Sequence, residues 1–337
     1  MKDSYGRTID YLRISLTDRC NLRCIYCMPA QGVDQVPHSR ILRFDDIEKL
    51  VRVAAGLGVR RIRLTGGEPL VRKGVVDMVR MIAQTPGIED VSMTTNGILL
   101  AAMAHDLKQA GLSRVNISLD TLDAEQYRQV TRGGDILSVE EGIAAALREG
   151  FDPVKVNAVA VRSLNQDFFR FASLSVDRPL HVRFIEYMPV GDSSGSCGCG
   201  WGVDDVISCA DILQAINRQA QTEGVGPLTI VEDTKRPCGG GPARYYAFPG
   251  AQGTVGFISP LSNHFCGQCN RMRLTAEGML RPCLFSDNEI DAFDALKNGS
   301  DEDVRNVLLQ ALAAKPNEHH EGDHANATHT NMNEIGG

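Results

Sequence analysis

The sequence has no apolar run approaching the ~20 residues that a membrane-spanning helix needs, no excess of positive charge and no long internal repeat. The first absence excludes a membrane span. The second matters because the 337-residue chain carries a formal net charge of −7, which argues against nucleic acid or a membrane surface as its main partner. The third leaves only an alternation of short strand-like and helix-like stretches. Met1–Arg7 is polar and runs straight into a strand-like segment, so no signal peptide is expected and the expected location is cytoplasmic. Ten cysteines are many for a reduced compartment, where clustered cysteines bind metal more often than they form disulfides.

From residue 10 to about 185 the spacing predicts strands at Tyr11–Leu16, Arg60–Leu64, Val91–Thr95, Arg114–Leu119, Val154–Val161 and Leu180–Ile185. Each is short, alternating and rich in Val, Ile or Leu. Helices fall between them. Asp45 reads as an N-cap before Ile47, Leu50, Val51, Ala54 and Leu57, and Ser138 with Glu141 as a capping box before Ile143, Ala146 and Leu147. Strands separated by helices imply parallel pairing with right-handed crossovers. Six such units predict an incomplete (β/α)6 barrel, open at one side. A flat doubly wound sheet fits the same alternation.

Side chains alternate across a strand, and here the two faces differ. Leu12, Ile14 and Leu16 oppose Arg13, Ser15 and Thr17; Ile62 and Leu64 oppose Arg61, Arg63 and Thr65. Val115, Ile117 and Leu119 oppose Asn116, Ser118 and Asp120; Lys155, Asn157, His181 and Arg183 continue the polar face. An ordinary barrel interior is filled with branched apolar side chains. A cationic one needs an anionic partner, and a polyphosphate would supply it. Solvated faces of an exposed sheet are the plainer alternative.

Cys20, Cys24 and Cys27 form C-x3-C-x2-C directly after the first strand, at the strand end where barrel enzymes place their chemistry. Three thiolates can hold three irons of a [4Fe–4S] cluster and leave the fourth iron open to a small molecule. Zinc wants four ligands; no fourth Cys or His lies nearby, although a distant one could fold back. Gly66–Gly67–Glu68–Pro69 follows the second strand. Paired glycines let a backbone approach a ligand closely, though Gly-Gly alone is usually a turn. Cys266, Cys269 and Cys283 form a second triad, C-x2-C-x13-C, whose C-x2-C also fits zinc or a redox pair.

TDRCNLRCIYCMP resembles the radical S-adenosylmethionine superfamily, and the longer match resembles its GTP 3′,8-cyclase family. That match covers essentially the whole chain through YLRISLTDRC, RIRLTGGEPL, TTNG, NISLDTLD, VKVN, RFIEYMPVG, FCGQCNRMRLT and the closing IGG. The resemblance implies two [4Fe–4S] clusters, one on each triad, and S-adenosylmethionine as cofactor held by Tyr26, Gly67, Glu68, Ser118 and Met188. It gives GTP to Arg13, Arg63, Thr94 and Lys155 and to Arg271, Met272 and Arg273; Arg61 and Arg183 join them by sharing the same strand faces. The implied reaction takes hydrogen from C3′ of GTP and closes C3′ onto C8 in molybdenum cofactor synthesis. It needs a low-potential electron donor and hands its product to the next enzyme of the molybdopterin pathway; dimerisation is open.

The resulting division is a radical S-adenosylmethionine partial barrel over 1–190, a C-terminal region over 191–315 that carries the second cluster and completes the barrel, and a tail over 316–337. Pro316–Asn333 is polar, with four histidines and four asparagines, a composition that predicts flexibility. The resemblance implies that terminal Gly336 and Gly337 reach the active site and are needed for activity; disorder and a conjugation tag are the alternatives. Cys197, Cys199, Cys209 and Cys238 lie outside the motifs and read as incidental thiols. Two rival functions remain: a radical enzyme with an auxiliary cluster acting on a peptide, and a non-catalytic metal carrier.

Overall fold

Strand β1 (Tyr11–Ser15) starts a run of parallel strands, each returned by a helix: α1 (Phe44–Gly56), β2 (Arg61–Thr65), α2 (Val75–Ala83), β3 (Asp90–Thr95), α3 (Leu100–Gln109), β4 (Arg114–Ser118), α4 (Ala124–Thr131), α5 (Ile136–Arg148), β5 (Val154–Ala160), α6 (Phe168–Ser173) and β6 (Leu180–Glu186). The computed structural model describes residues 1–33, 36–188 and 200–318. Strands β1 to β6 lie side by side in chain order and pair in parallel throughout. A doubly wound sheet reverses its order at a switch point; this one does not, which leaves the incomplete barrel.

The rest of the chain builds α7 (Cys209–Thr222), β7 (Thr229–Ile230), β8 (Arg244–Ala247), β9 (Thr254–Ile258), β10 (Arg271–Leu274), β11 (Met279–Arg281), β12 (Ile290–Asp291), α8 (Phe293–Lys297) and α9 (Asp301–Ala313). Strand β10 adds in parallel to the free edge of β1, and β9 to the free edge of β6. The sheet thus continues through both edges of the six-strand unit, in the order β12-β11-β10-β1-β2-β3-β4-β5-β6-β9-β8-β7. The sequence pattern predicts short strands at Thr229–Val231 and Tyr245–Phe248, which correspond to β7 and β8, but anticipates neither β9 nor β10.

The core lies between the sheet and the helices. Leu12, Ile14, Ile62, Leu64, Val115, Ile117, Val154 and Val156 are fully buried there with Ile47, Leu50, Val51 and Ala54 of α1. Burying such a side chain contributes about 1.5–3 kcal/mol, so this alternation fixes which way each strand faces. Two helix starts differ from expectation. Helix α1 begins one residue before Asp45, and the Asp46 carboxylate accepts from Arg43 N at 2.7 Å. Helix α5 is capped by Asp135, which accepts from Leu137 N at 3.1 Å, and Ser138 lies within the first turn, donating to Asp135 at 3.0 Å. In both cases a carboxylate that can reach a free backbone N–H outcompetes the expected cap.

Candidate active site

The first cysteine loop follows β1 and is tied down at each end. Leu22 N donates to Cys20 Sγ at 3.4 Å and Asn96 Nδ2 approaches the same sulfur at 3.8 Å. Cys27 N and Met28 N both donate to Cys24 O. Burial, then the charges of Cys27, Asp120 and Cys20, push the Cys24 thiol well above its ordinary value. Three such thiols can be ionised together only if a cation binds them. Among the described residues, no three His, Cys, Asp or Glu side chains converge to hold a single metal ion. A donor set of three spaced thiols fits a polynuclear iron–sulfur cluster, whose irons each take one thiolate.

The glycine pair brings two backbone segments close together. A Cβ on Gly66 would stand 2.5 Å from Thr17 O, and one on Gly67 would stand 2.3 Å from Arg19 O. Gly67 N donates to Thr17 O at 2.7 Å and Glu68 N to Arg19 O at 2.8 Å. The close approach is therefore to the backbone leading into Cys20, and it locks the cysteine loop onto the end of β2. Glu68 is 1 % exposed. Its carboxylate accepts from Leu70 N at 3.0 Å, Thr95 Oγ1 at 2.7 Å and Asn96 N at 2.7 Å. Burial raises its pKa to about 7.

Tyr26 Oη donates to Asp120 Oδ2 at 2.6 Å, while Asp120 Oδ1 accepts from Val159 N at 2.9 Å. The ring of Tyr26 stacks on Trp201 at 5.9 Å, and Tyr187 meets the same indole edge-on at 5.8 Å. Ser118 ends β4 beside Asn157 of β5. Met188 is half-buried just past β6. Sequence reasoning does not pick out Asp120 or Trp201 as partners of Tyr26; the one available signal is that Trp201 is the sole tryptophan.

The polar faces of the strands meet in rows. Arg273 of β10, Arg13 of β1 and Arg63 of β2 stand in register, followed by Ser92 of β3 and Arg114 of β4. Arg271, Tyr11 and Arg61 form the row below. Two of the cations are neutralised: Arg61 pairs with Asp10 at 2.8 Å, and Arg114 pairs with Asp90. Among the described residues, Arg13, Arg63, Lys155 and Arg183 have no carboxylate partner. Arg63 lies 5.3 Å over the Tyr11 ring, and Arg183 donates to Asn157 at 2.8 Å and Asn116 at 2.6 Å. Buried polar atoms without partners among the described residues include Arg13 Nε, Thr94 Oγ1 and Arg271 Nε. Burial, then Arg273 and Arg63, holds the Arg13 guanidinium well below its usual pKa.

At the start of β5, Lys155 Nζ donates to Cys238 O at 2.6 Å. The loop that follows lies against Arg114 at Gly239, Arg61 at Gly240 and Arg183 at Gly241. Burial, then Arg183, Arg114 and Arg63, lowers the Lys155 pKa to about 6. Met272, expected with Arg271 and Arg273, turns its side chain away from them. Alternation along β10 turns it to the other face, where it is buried in the apolar core.

The second triad sits around β10. Cys269 N donates to Cys266 O at 3.1 Å, and Arg271 lies 5.3 Å over the Phe265 ring. Burial opposes ionisation of Cys269, but Lys315 and Arg271 outweigh it and hold the thiol below its usual value. Arg7, paired with Asp3 at 2.6 Å, donates to Cys266 O, Pro316 O and Asn317 O. The first residues of the predicted tail are thereby held beside this triad. Cys209 is a core thiol of α7 and Cys238 is exposed. Gly336, Gly337, Cys197 and Cys199 lie outside the described residues.

Residues 14–172 match the Radical SAM superfamily and residues 180–321 match Molybdenum Cofactor Synthesis C. The native anSMEcpe structure with bound AdoMet shares the fold with a TM-score of 0.59 at 14% identity, over 92% of this chain and 81% of that one. Fold and site thus define a radical S-adenosylmethionine protein. The GTP 3′,8-cyclase of Pelotomaculum thermopropionicum is 50% identical over 95% of both chains. That of Moorella thermoacetica is 51% identical, again over 95% of both. The chain belongs to the GTP 3′,8-cyclase family.

Proposed function

We propose that this chain is a GTP 3′,8-cyclase of molybdenum cofactor synthesis. It uses S-adenosylmethionine and an iron–sulfur cluster on Cys20, Cys24 and Cys27, and a second [4Fe–4S] cluster on Cys266, Cys269 and Cys283. The observation that carries the reading is the row Arg273–Arg13–Arg63 between two cysteine triads. Like charges set directly opposite destabilise a sheet, and buried bases cost several kcal/mol each unless paired. Among the described residues Arg13 and Arg63 have no carboxylate partner, and a nucleoside triphosphate supplies that negative charge.

Cys20, Cys24 and Cys27 would hold a cluster that, with S-adenosylmethionine, would supply the one-electron reductive chemistry for removing hydrogen from C3′ of GTP; bonding of C3′ to C8 would be completed by one further electron and a proton. The chain's own residues bind and orient. Glu68 accepts from the cofactor's ammonium, and Tyr26, Gly67, Ser118 and Met188 line the rest of its seat. Arg13, Arg63, Thr94, Lys155 and Arg183 hold ribose and phosphates, with Arg61 nearby. Arg271 and Arg273 align the guanine against the second cluster, and Gly336 and Gly337 close the site. Lys155, largely neutral in the free protein, takes up a proton as phosphate arrives.

Residues 1–190 form the unit for cofactor cleavage, 191–315 the unit for substrate and second cluster, and 316–337 a tail. An external low-potential donor supplies the electron, and the product passes to the next enzyme of the pathway in the cytoplasm. No described helix is long and apolar enough to cross a membrane. Anaerobic turnover with GTP, S-adenosylmethionine and a reductant tests the reading: 3′,8-cyclo-7,8-dihydro-GTP is expected from the native chain and not from Cys24→Ser. Cofactor cleavage without any nucleotide product would overturn it.

A further inference from the structure

Lys315 follows α9, and only 3 % of it is exposed. Its ammonium donates to Arg271 O at 2.8 Å and Pro282 O at 2.7 Å, and its third direction points at Cys269 Sγ, 3.5 Å away. None of these partners is a carboxylate. A buried ammonium without a counter-charge is costly, so the sulfur is where its charge is balanced. The three contacts also join three separate pieces of the site. Cys269 and Arg271 flank the start of β10, and Pro282 directly precedes Cys283.

We propose that Lys315 is a positioning residue of the second cluster: it fixes Cys269, Arg271 and the Cys283 segment relative to one another and donates N–H···S to the Cys269 thiolate. This rests on the second-cluster reading above. Hydrogen bonds and positive charge at cluster sulfurs favour the reduced, more negative state and raise the reduction potential. Lys315 therefore makes the second cluster easier to reduce than it is in the same chain lacking the cation.

The test is a mediated redox titration of the reconstituted full chain followed by electron paramagnetic resonance, with native protein, Lys315→Gln and Lys315→Arg compared. Iron content is measured on the same samples. In Lys315→Gln the potential of the second cluster is expected to fall by at least a tenfold change in the reduction equilibrium, ~59 mV for one electron, with the first cluster unmoved. Lys315→Arg is expected to restore most of the shift. Selective loss of the second cluster from Lys315→Gln but not from Lys315→Arg supports the same conclusion. An unchanged potential in Lys315→Gln overturns the inference, as does loss of the cluster from both variants, because the charge is then not the property that matters. If the native chain itself binds only one cluster, it is the second-cluster reading that fails, and iron content alone distinguishes that outcome.

Discussion

Arg13 and Arg273 stand directly opposite one another across the parallel β1–β10 pair, with Arg63 on the other side of Arg13. Neighbouring strands lie about 4.8 Å apart, so the protein holds three guanidinium-bearing residues abreast on one face. The arrangement strains the free protein and suits a polyanion. Arg13→Gln is accordingly expected to leave thermal stability unchanged or raised while weakening GTP binding. Loss of a charged hydrogen bond costs ~1.5–3 kcal/mol, about ten- to a hundredfold in affinity. Thermal denaturation with nucleotide titration checks both halves. A destabilised variant with native affinity would make Arg13 a structural residue.

Lys155 carries a pKa lowered to about 6 by burial and the surrounding arginines. Folding depresses this group below its unfolded value, so between those values the unfolded chain binds more protons and its contribution to stability grows with pH. A phosphate placed beside it reverses the balance. Binding of GTP near pH 7.5 is expected to take up a proton, read as a dependence of calorimetric heat on buffer ionisation enthalpy. Heat independent of buffer would place the phosphates away from Lys155.

Glu68 titrates at about 7 because it is buried. Its folded value is raised, so its contribution to stability grows as pH falls from the folded toward the unfolded value. Acceptance from an ammonium needs the ionised form. S-adenosylmethionine binding is therefore expected to weaken as pH drops below 7, and Glu68→Gln to lose roughly ten- to a hundredfold in affinity while the first cluster still assembles. Equal affinity at pH 6 and pH 8 would remove the carboxylate from the cofactor seat.

Trp201 stacks on Tyr26, inside the first cysteine loop. Since it is the sole tryptophan, its fluorescence reports that loop alone. Anaerobic cluster assembly is expected to quench it in the native chain and to leave it bright in Cys24→Ser, where the second triad is intact. Equal quenching in both would detach the indole from the first triad.

Much of this was legible because alternation is a strong signal where one face of a strand is fully buried. Ile62 and Leu64 fix the direction of Arg61 and Arg63, and the cysteine spacings mark both triads. The same rule sends the Met272 side chain to the apolar face, away from Arg271 and Arg273. Strands β9 and β10 were not legible, because each is short and its parallel partner lies more than seventy residues away in sequence, although each also pairs antiparallel with a nearby strand. Asp135 won the α5 cap from Ser138 by reach, which spacing does not encode. The glycines at 66 and 67 could be read as a close approach, but only the structure names Thr17 and Arg19 as what is approached. Lys315 carries no motif at all; its role exists only once α9 returns to β10.

The most direct test of the whole account is anaerobic turnover with GTP deuterated at C3′. Deuterium is expected in the 5′-deoxyadenosine released, in step with formation of the cyclised nucleotide. Release of 5′-deoxyadenosine free of deuterium, with the label intact in GTP, would contradict it.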